Sequence, residues 1–270
     1  MERPAWAPRS IDISVPSVSR IYDYYLGGSH NFEVDREAAR KAMGFMPGLP
    51  KIMQANRAFM RRAVRFATGE GITQFLDIGS GIPTFGNVHE IAQESRPGAR
   101  VVYVDNDPVA VAHSQAVLEG NEDADVLAAD LLKPREILAS SQVQRLIDLN
   151  RPVALLLVAI LHFVEDADDP YGAVAELRDA LAPGSLLVVT HASYEGIPLL
   201  QEQAEGTVDV YKNIRNPLIM RSREDVARFF EGYDMVEPGL VPMPKWRPDT
   251  APEDEDPYSF SGFAGVGRTS

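Results

Sequence analysis

At 270 residues, 45% of them apolar, the chain can bury one large α/β core, or a core with a small appendage. Its 39 acidic residues outnumber 26 basic ones, and a net charge of −13 argues against a partner as anionic as a nucleic-acid backbone. The absence of cysteine excludes disulfides and thiolate zinc sites, and no metal site is expected.

The first twenty residues carry no apolar core of a signal peptide, and the longest apolar run, Val153 to Leu161, is too short to span a bilayer. A soluble cytoplasmic protein without a membrane partner is the expectation. Met1 to Pro16 is proline-rich and aperiodic, an arm rather than an element. Ser17 can cap a helix with an apolar face of Val18, Ile21, Tyr22, Tyr25 and Leu26, stopped at Gly27-Gly28. A polar helix follows over about Val34 to Met43. A longer one runs from about Lys51 to Thr68, after Pro47-Gly-Leu-Pro50. Arg57, Arg61, Arg62 and Arg65 on it form either a basic patch or a solvated face.

From Gly71 the rhythm becomes strand, helix, strand. Strands are expected up to Asp77, over Gly98 to Asp105, Asp125 to Asp130, Pro152 to Leu161 and Ser185 to His191. Asp107-Pro108 and Asp169-Pro170 read as helix starts, with Asp as cap and Pro in the first turn. Such alternation predicts a Rossmann-like α/β fold, a mostly parallel sheet with helices on both faces. After His191 the pattern stops. Tyr194 to Met220 reads as an insertion, Ser222 as the cap of a helix through Phe230, and Met235 to Val241 and Ser259 to Gly267 as closing strands. The acidic run Glu253 to Asp256 reads as solvated.

The stretch Gln74-Phe-Leu-Asp-Ile-Gly-Ser-Gly-Ile-Pro-Thr84 reads as a buried strand entering a turn at Gly79, Ser80 and Gly81. A dinucleotide turn would carry a third small residue where Thr84 stands, and would not set an acid such as Asp77 beside a pyrophosphate. An acid near an ammonium is sensible; a plain tight turn is the alternative. Three successive strands end on acids: Asp77, Asp105 and Asp130. In an open parallel sheet these ends are neighbours at the ligand crevice. Asp105 can accept both ribose hydroxyls of a nucleoside, Asn106 sits where an adenine face passes, and Asp130 with Leu131 can meet the adenine amino group.

Phe75-Leu-Asp-Ile-Gly-Ser-Gly81, Val104-Asp-Asn-Asp-Pro108, Ala129-Asp-Leu131 and Leu161-His-Phe-Val164 together resemble the Rossmann-like, class I S-adenosylmethionine-dependent methyltransferases. Tyr22-Asp-Tyr-Tyr-Leu-Gly-Gly28 with Asn31, Asn56-Arg-Ala-Phe59 and Glu237-Pro-Gly-Leu240 narrow the resemblance to a family of predicted methyltransferases found mainly in actinobacteria. Pro83 departs from it, where many methyltransferases have a third glycine. The resemblance implies a seven-stranded sheet with an antiparallel last strand. It also implies an arm and helical lid over residues 1–70, on a core of residues 71–270 with an insertion at about 194–220. S-adenosyl-L-methionine is then the cofactor, S-adenosyl-L-homocysteine the product, and a small molecule the methyl acceptor at O, N or C.

Under a lid, Tyr25, His30 and Asn31 beside the Gly27-Gly28 hinge can face the methionine end. Arg57 either pairs with the cofactor carboxylate or is a helix-surface arginine. His162 and His191 are candidate bases or structural histidines at the ends of their strands. Glu165, Asp166, Asp168 and Asp169 make an acidic mouth or a solvated loop. Tyr194, Tyr211 and Arg215 are candidate acceptor contacts. Two other readings stay open: a protein that binds the cofactor without catalysis, and a nicotinamide-dependent oxidoreductase, which Asp77 and Thr84 oppose.

Overall fold

The computed structural model describes residues 12–84, 86–195, 201–212, 214, 217–249 and 262–270. Three helices come first: α1 (Val18–Tyr25), α2 (Glu33–Phe45) and α3 (Leu49–Gly69). Strand and helix then alternate through β1 (Gln74–Ile78), α4 (Val88–Ser95), β2 (Arg100–Asp105), α5 (Pro108–Val117) and β3 (Ala124–Ala128). After the short α6 (Pro134–Leu138) and α7 (Ser141–Leu146) come β4 (Ala154–Val158), α8 (Pro170–Asp179) and β5 (Leu186–His191). The chain closes with α9 (Gln201–Lys212), α10 (Arg223–Arg228), β6 (Tyr233–Met235), β7 (Val241–Pro242) and β8 (Phe263–Thr269). Both Asp-Pro starts hold. The carboxylate of Asp107 accepts from Val109 N at 2.8 Å and that of Asp169 from Gly172 N at 3.0 Å, filling donors the first turn leaves open.

The sheet runs β3-β2-β1-β4-β5-β8-β6, with β1 to β5 parallel and β8 antiparallel between β5 and β6. The two-residue β7 pairs with the start of β8 and makes an eighth strand. The sequence reads Met235 to Val241 as one strand; the chain instead breaks into β6 and β7 at Glu237-Pro-Gly239. Pro238 has no N–H for the ladder, and Gly239 turns at φ 85°. Two other strands stop short of their predicted ends. β3 ends at Ala128, leaving Asp130 in the following turn, and β4 ends at Val158, because Ala159 turns left-handed at φ 59°.

The central strands are apolar on both faces, so period-two alternation feeds two cores. Phe75, Val101, Leu156 and Val188 pack under α3 with Phe59, Met60 and Trp246. Leu76, Val102, Leu155 and Leu187 pack on the opposite face with Leu177 and Phe229. Each such side chain contributes ~1.5–3 kcal/mol when fully buried. The same parity sends Asp77 and Asp105 to the α3 side, since they share a face with Phe75 and Val101. The four arginines of α3 do not make one patch. Arg62 is buried, donating to the carbonyls of Trp246 and Met243 at 2.9 Å, and ties the helix to the closing segment.

α1 is fastened to the sheet by charge. Arg20 is buried against Asp35 at 2.9 Å and lies 3.9 Å from Asp107, and the Ser17 hydroxyl donates to Asp107. The glycine pair after α1 closes a compact loop around buried Asp23, whose carboxylate accepts from His30 N and Asn31 Nδ2; a side chain at Gly28 would strike it. Among the described residues no helix is long and apolar enough to cross a membrane.

Candidate functional site

The sheet order reverses between β1 and β4, and a cavity of about 1130 Å³, counting the part open to solvent, lies at that point beyond the strand ends. Its floor is the turn after β1. Gly79 and Gly81 sit at φ 76° and 68°, and a Cβ on Gly79 would come within 2.6 Å of the Ile160 side chain, so neither place suits another residue. The turn's amides point inward: Gly79 N and Ser80 N donate to Val104 O at 2.8 and 3.2 Å, and Gly81 N to Asp105 Oδ2 at 2.7 Å. The next helix start is closed too, since Glu90 Oε2 accepts from Gly86 N and Asn87 N at 2.8 and 2.9 Å. A diphosphate needs open backbone donors at such a turn and helix start; this turn has none to give.

Side chains rather than amides face the cavity. Asp77 is 8% exposed, and no described residue donates a hydrogen bond to its carboxylate. Burial pushes its pKa up to about 7; Arg57 works against the rise and Asp105 adds to it. Asp105 rises to about 6 by burial, checked by backbone N–H bonds from Asp107, Gly81 and Asn106. Arg57 reaches down from α3. Its hydrogen bonds are two long ones of 3.5 Å, to Gly86 O and Asn87 Oδ1, and its Nε is buried with no partner. Ser80 Oγ is a second buried atom without one. Orphaned donors of this kind mark a place shaped for something else.

Gly79, Ser80, Gly81, Asn106, Asp130 and Leu131 line the same cavity, as their spacing leads one to expect. Asn31 does not: its amide is held by Asp23 Oδ2 at 2.7 Å and Gly28 O at 3.0 Å, away from the cavity. The sequence reading missed several of the walls. Val18, Ser19 and Tyr22 of α1 cover the cavity, Asn56 and Met60 come from α3, and Asp168 alone of the acidic mouth reaches its rim. Tyr22 and Asn56 stood inside quoted motifs, but nothing in the sequence gave them a position.

A second cavity of about 660 Å³, again counting the part open to solvent, shares Val18, Tyr22, Asn56, Ala159 and Phe163 with the first. A hydrogen-bonded chain stiffens the shared wall. Ala159 N donates to Thr190 Oγ1 at 2.8 Å, Thr190 Oγ1 to Asn56 Oδ1 at 2.6 Å, and Asn56 Nδ2 to Tyr22 OH at 2.8 Å. Ala159's left-handed backbone, a conformation costing ~1–3 kcal/mol, is thus held in place. Tyr25, His162, His191 and Tyr211 line this second cavity, not the first. Tyr194 is 54% exposed and lines neither, and Arg215 lies outside the described residues.

Neither histidine offers a free lone pair. Arg221 can only donate, so His191 Nε2 accepts from it at 2.8 Å, and Nδ1–H donates to Ala192 O at 2.7 Å. Burial holds His191 down at about 4, and Arg221 also donates to Leu161 O, Val164 O and Asp166. His191 is a structural histidine, against its reading as a base. His162 is buried and its pKa lies well below the ordinary value; its Nδ1 accepts from Ala192 N at 3.2 Å, so the neutral ring carries its proton on Nε2. It faces the cavity as a donor.

A family model described as S-adenosyl methyltransferase matches residues 4–270. A protein of Thermobifida fusca, provisionally described as a methyltransferase, has a solved structure 41% identical over 98% of this chain and 99% of its own, with a TM-score of 0.91. A DUF574 family protein of Streptomyces avermitilis is 39% identical over 96% of this chain and 99% of its own, with a TM-score of 0.90. At 16% identity, 1,6-didemethyltoxoflavin-N1-methyltransferase of Burkholderia thailandensis, solved with S-adenosylhomocysteine, shares the fold over 87% of this chain and 89% of its own, with a TM-score of 0.50. No curated protein sequence matches.

Proposed function

The chain belongs to the S-adenosyl methyltransferase family, and from that premise we propose that it moves a methyl group from S-adenosylmethionine, in line, to an oxygen, nitrogen or carbon of a small molecule. Bound in the first cavity, S-adenosylmethionine would supply an electrophilic methyl on sulfur, to be taken by the acceptor with S-adenosylhomocysteine as the leaving group. The observation that carries the reading is the pairing of Arg57 and Asp77. A half-buried arginine with a buried, orphaned Nε and a buried acid with no donor share one cavity above a glycine turn, the two charges an α-amino acid would answer.

Each residue then has a task. Arg57 holds the carboxylate through a charge-assisted pair, and Asp77 holds the ammonium end. Asp105 takes the ribose hydroxyls. Asn106, Asp130 and Leu131 border the adenine. Tyr22, Val18 and Ser19 of α1 close the cavity against water, as an alkylating centre requires. Since neither histidine has a lone pair to lend, their part is placement of the acceptor rather than proton abstraction. A nicotinamide dinucleotide suits the site poorly, because the turn amides are already bonded.

Calorimetry on the purified chain tests this: S-adenosylhomocysteine should bind and NAD should give no heat. The reverse pattern would end the proposal. Tritiated methyl transfer into an extract of small metabolites then separates an enzyme from a binding protein.

A further inference from the structure

We infer that the second cavity is the acceptor site, and that it selects an uncharged ring compound bearing an oxygen that accepts a hydrogen bond. The inference rests on the first cavity being the cofactor's. Place is the first argument. Methyl transfer needs donor and acceptor within van der Waals contact, and the second cavity meets the first along Tyr22, Asn56, Ala159 and Phe163.

Charge is the second argument. The first cavity is lined by Arg57, Asp77, Asp105, Asp130 and Asp168, whereas among the described residues no Asp, Glu, Lys or Arg lines the second. Its two histidines are neutral by their own hydrogen bonds: Ala192 N–H claims Nδ1 of His162, and Arg221 claims Nε2 of His191. An ion entering would shed its water and meet no counter-charge, a cost that excludes it in favour of a neutral compound of the same shape.

Shape and polarity complete the argument. Met46, Leu49, Ile52, Met53, Leu218 and Met220 supply apolar walls, and methionines adapt to a flat ring. Two polar handles interrupt them. His162 Nε2–H has no partner among the described residues, and the hydroxyls of Tyr25 and Tyr211 pair at 3.2 Å. A donor left open to an apolar cavity asks for an acceptor on the ligand. His162 is therefore a positioning residue, aiming the ring by its oxygen.

The test uses the full chain saturated with S-adenosylhomocysteine, so that the first cavity is filled. Three probes on one skeleton are titrated at pH 7: 2-naphthol, 2-naphthoate and 2-naphthylmethylammonium. The expected result is that 2-naphthol binds at least about tenfold more tightly than either ion. Leu218→Trp, which fills the cavity, should weaken 2-naphthol by at least about tenfold and leave S-adenosylhomocysteine affinity as it was. Equal or tighter binding of an ion overturns the inference, as does no binding by any probe, or a folded Leu218→Trp chain that holds 2-naphthol as before. If the Trp variant does not fold, the ranking of the three probes on the unaltered chain still decides. Failure of S-adenosylhomocysteine itself to bind overturns the cofactor reading instead.

Discussion

Two cavities share one wall and differ in almost everything else. The first is made where the sheet order reverses, with a glycine turn, two buried acids and an arginine that has no hydrogen-bond partner for its Nε. The second is made by α1, α3, α9 and the segment after it, with apolar walls and polar groups bonded to one another except for the open Nε2–H of His162. The first holds charges whose burial is unfavourable until a ligand answers them. The second holds none among the described residues. Their difference teaches that the scaffold gathers charged side chains at the strand ends, while the added helices enclose a space lined by apolar and neutral polar groups.

The comparison breaks if the second cavity's wall proves to be functional charge rather than structure. Arg221 is the group to remove. It is buried and donates to Leu161 O, Val164 O, Asp166 and His191, so Arg221→Ala should lower stability by about 3 kcal/mol in urea unfolding and change S-adenosylhomocysteine affinity less than about twofold. In the first cavity the expectation is opposite. Arg57→Ala, which deletes two 3.5 Å bonds and an orphan, should leave stability nearly intact and weaken S-adenosylhomocysteine by about tenfold to a hundredfold in calorimetry.

Acidity sharpens the contrast. Asp77 is raised from 3.8 to about 7, and an ammonium ligand wants it ionised. Affinity for S-adenosylhomocysteine should therefore fall as pH drops below about 7, by up to about tenfold per unit, with proton uptake on release. The sign for the empty fold runs the other way. Because the folded pKa is above the unfolded one, the stability Asp77 contributes is complete below about pH 4 and is lost as pH rises through about 7. Asp77→Asn should raise the melting temperature of the ligand-free chain at pH 8 and remove the pH dependence of binding. The smallest effect is expected at Tyr25→Phe. It loses the hydroxyl pair with Tyr211, about 1 kcal/mol or less, and should leave S-adenosylhomocysteine affinity unchanged.

Much of the first cavity was legible in the sequence because its parts are local. A glycine turn, an acid two residues before it and Asp-Pro helix starts each carry their reason within four residues. Asp77 and Asp105 fall on one face because strands alternate, which is also readable. The second cavity was not legible, since Tyr25, Met53, His162, Tyr211 and Leu218 meet only through the packing of α1, α3 and the segment around α9. His191 looked like a base because a sequence cannot show Arg221, thirty positions on, closing its ring nitrogen. Asn31 looked like a ligand contact because its partner Asp23 is met across the turn at Gly27-Gly28. The split of the closing strand had a local cause in Pro238, one the apolar pattern outvoted.

A crystal structure of the chain with S-adenosylhomocysteine tests the division of labour most directly. The expected result sets the ligand's carboxylate on Arg57, its ribose hydroxyls on Asp105, and its sulfur at the wall of Tyr22, Asn56 and Phe163, facing the apolar cavity. A ligand lying with its adenine against Arg57, or with its sulfur turned away from that wall, would contradict it.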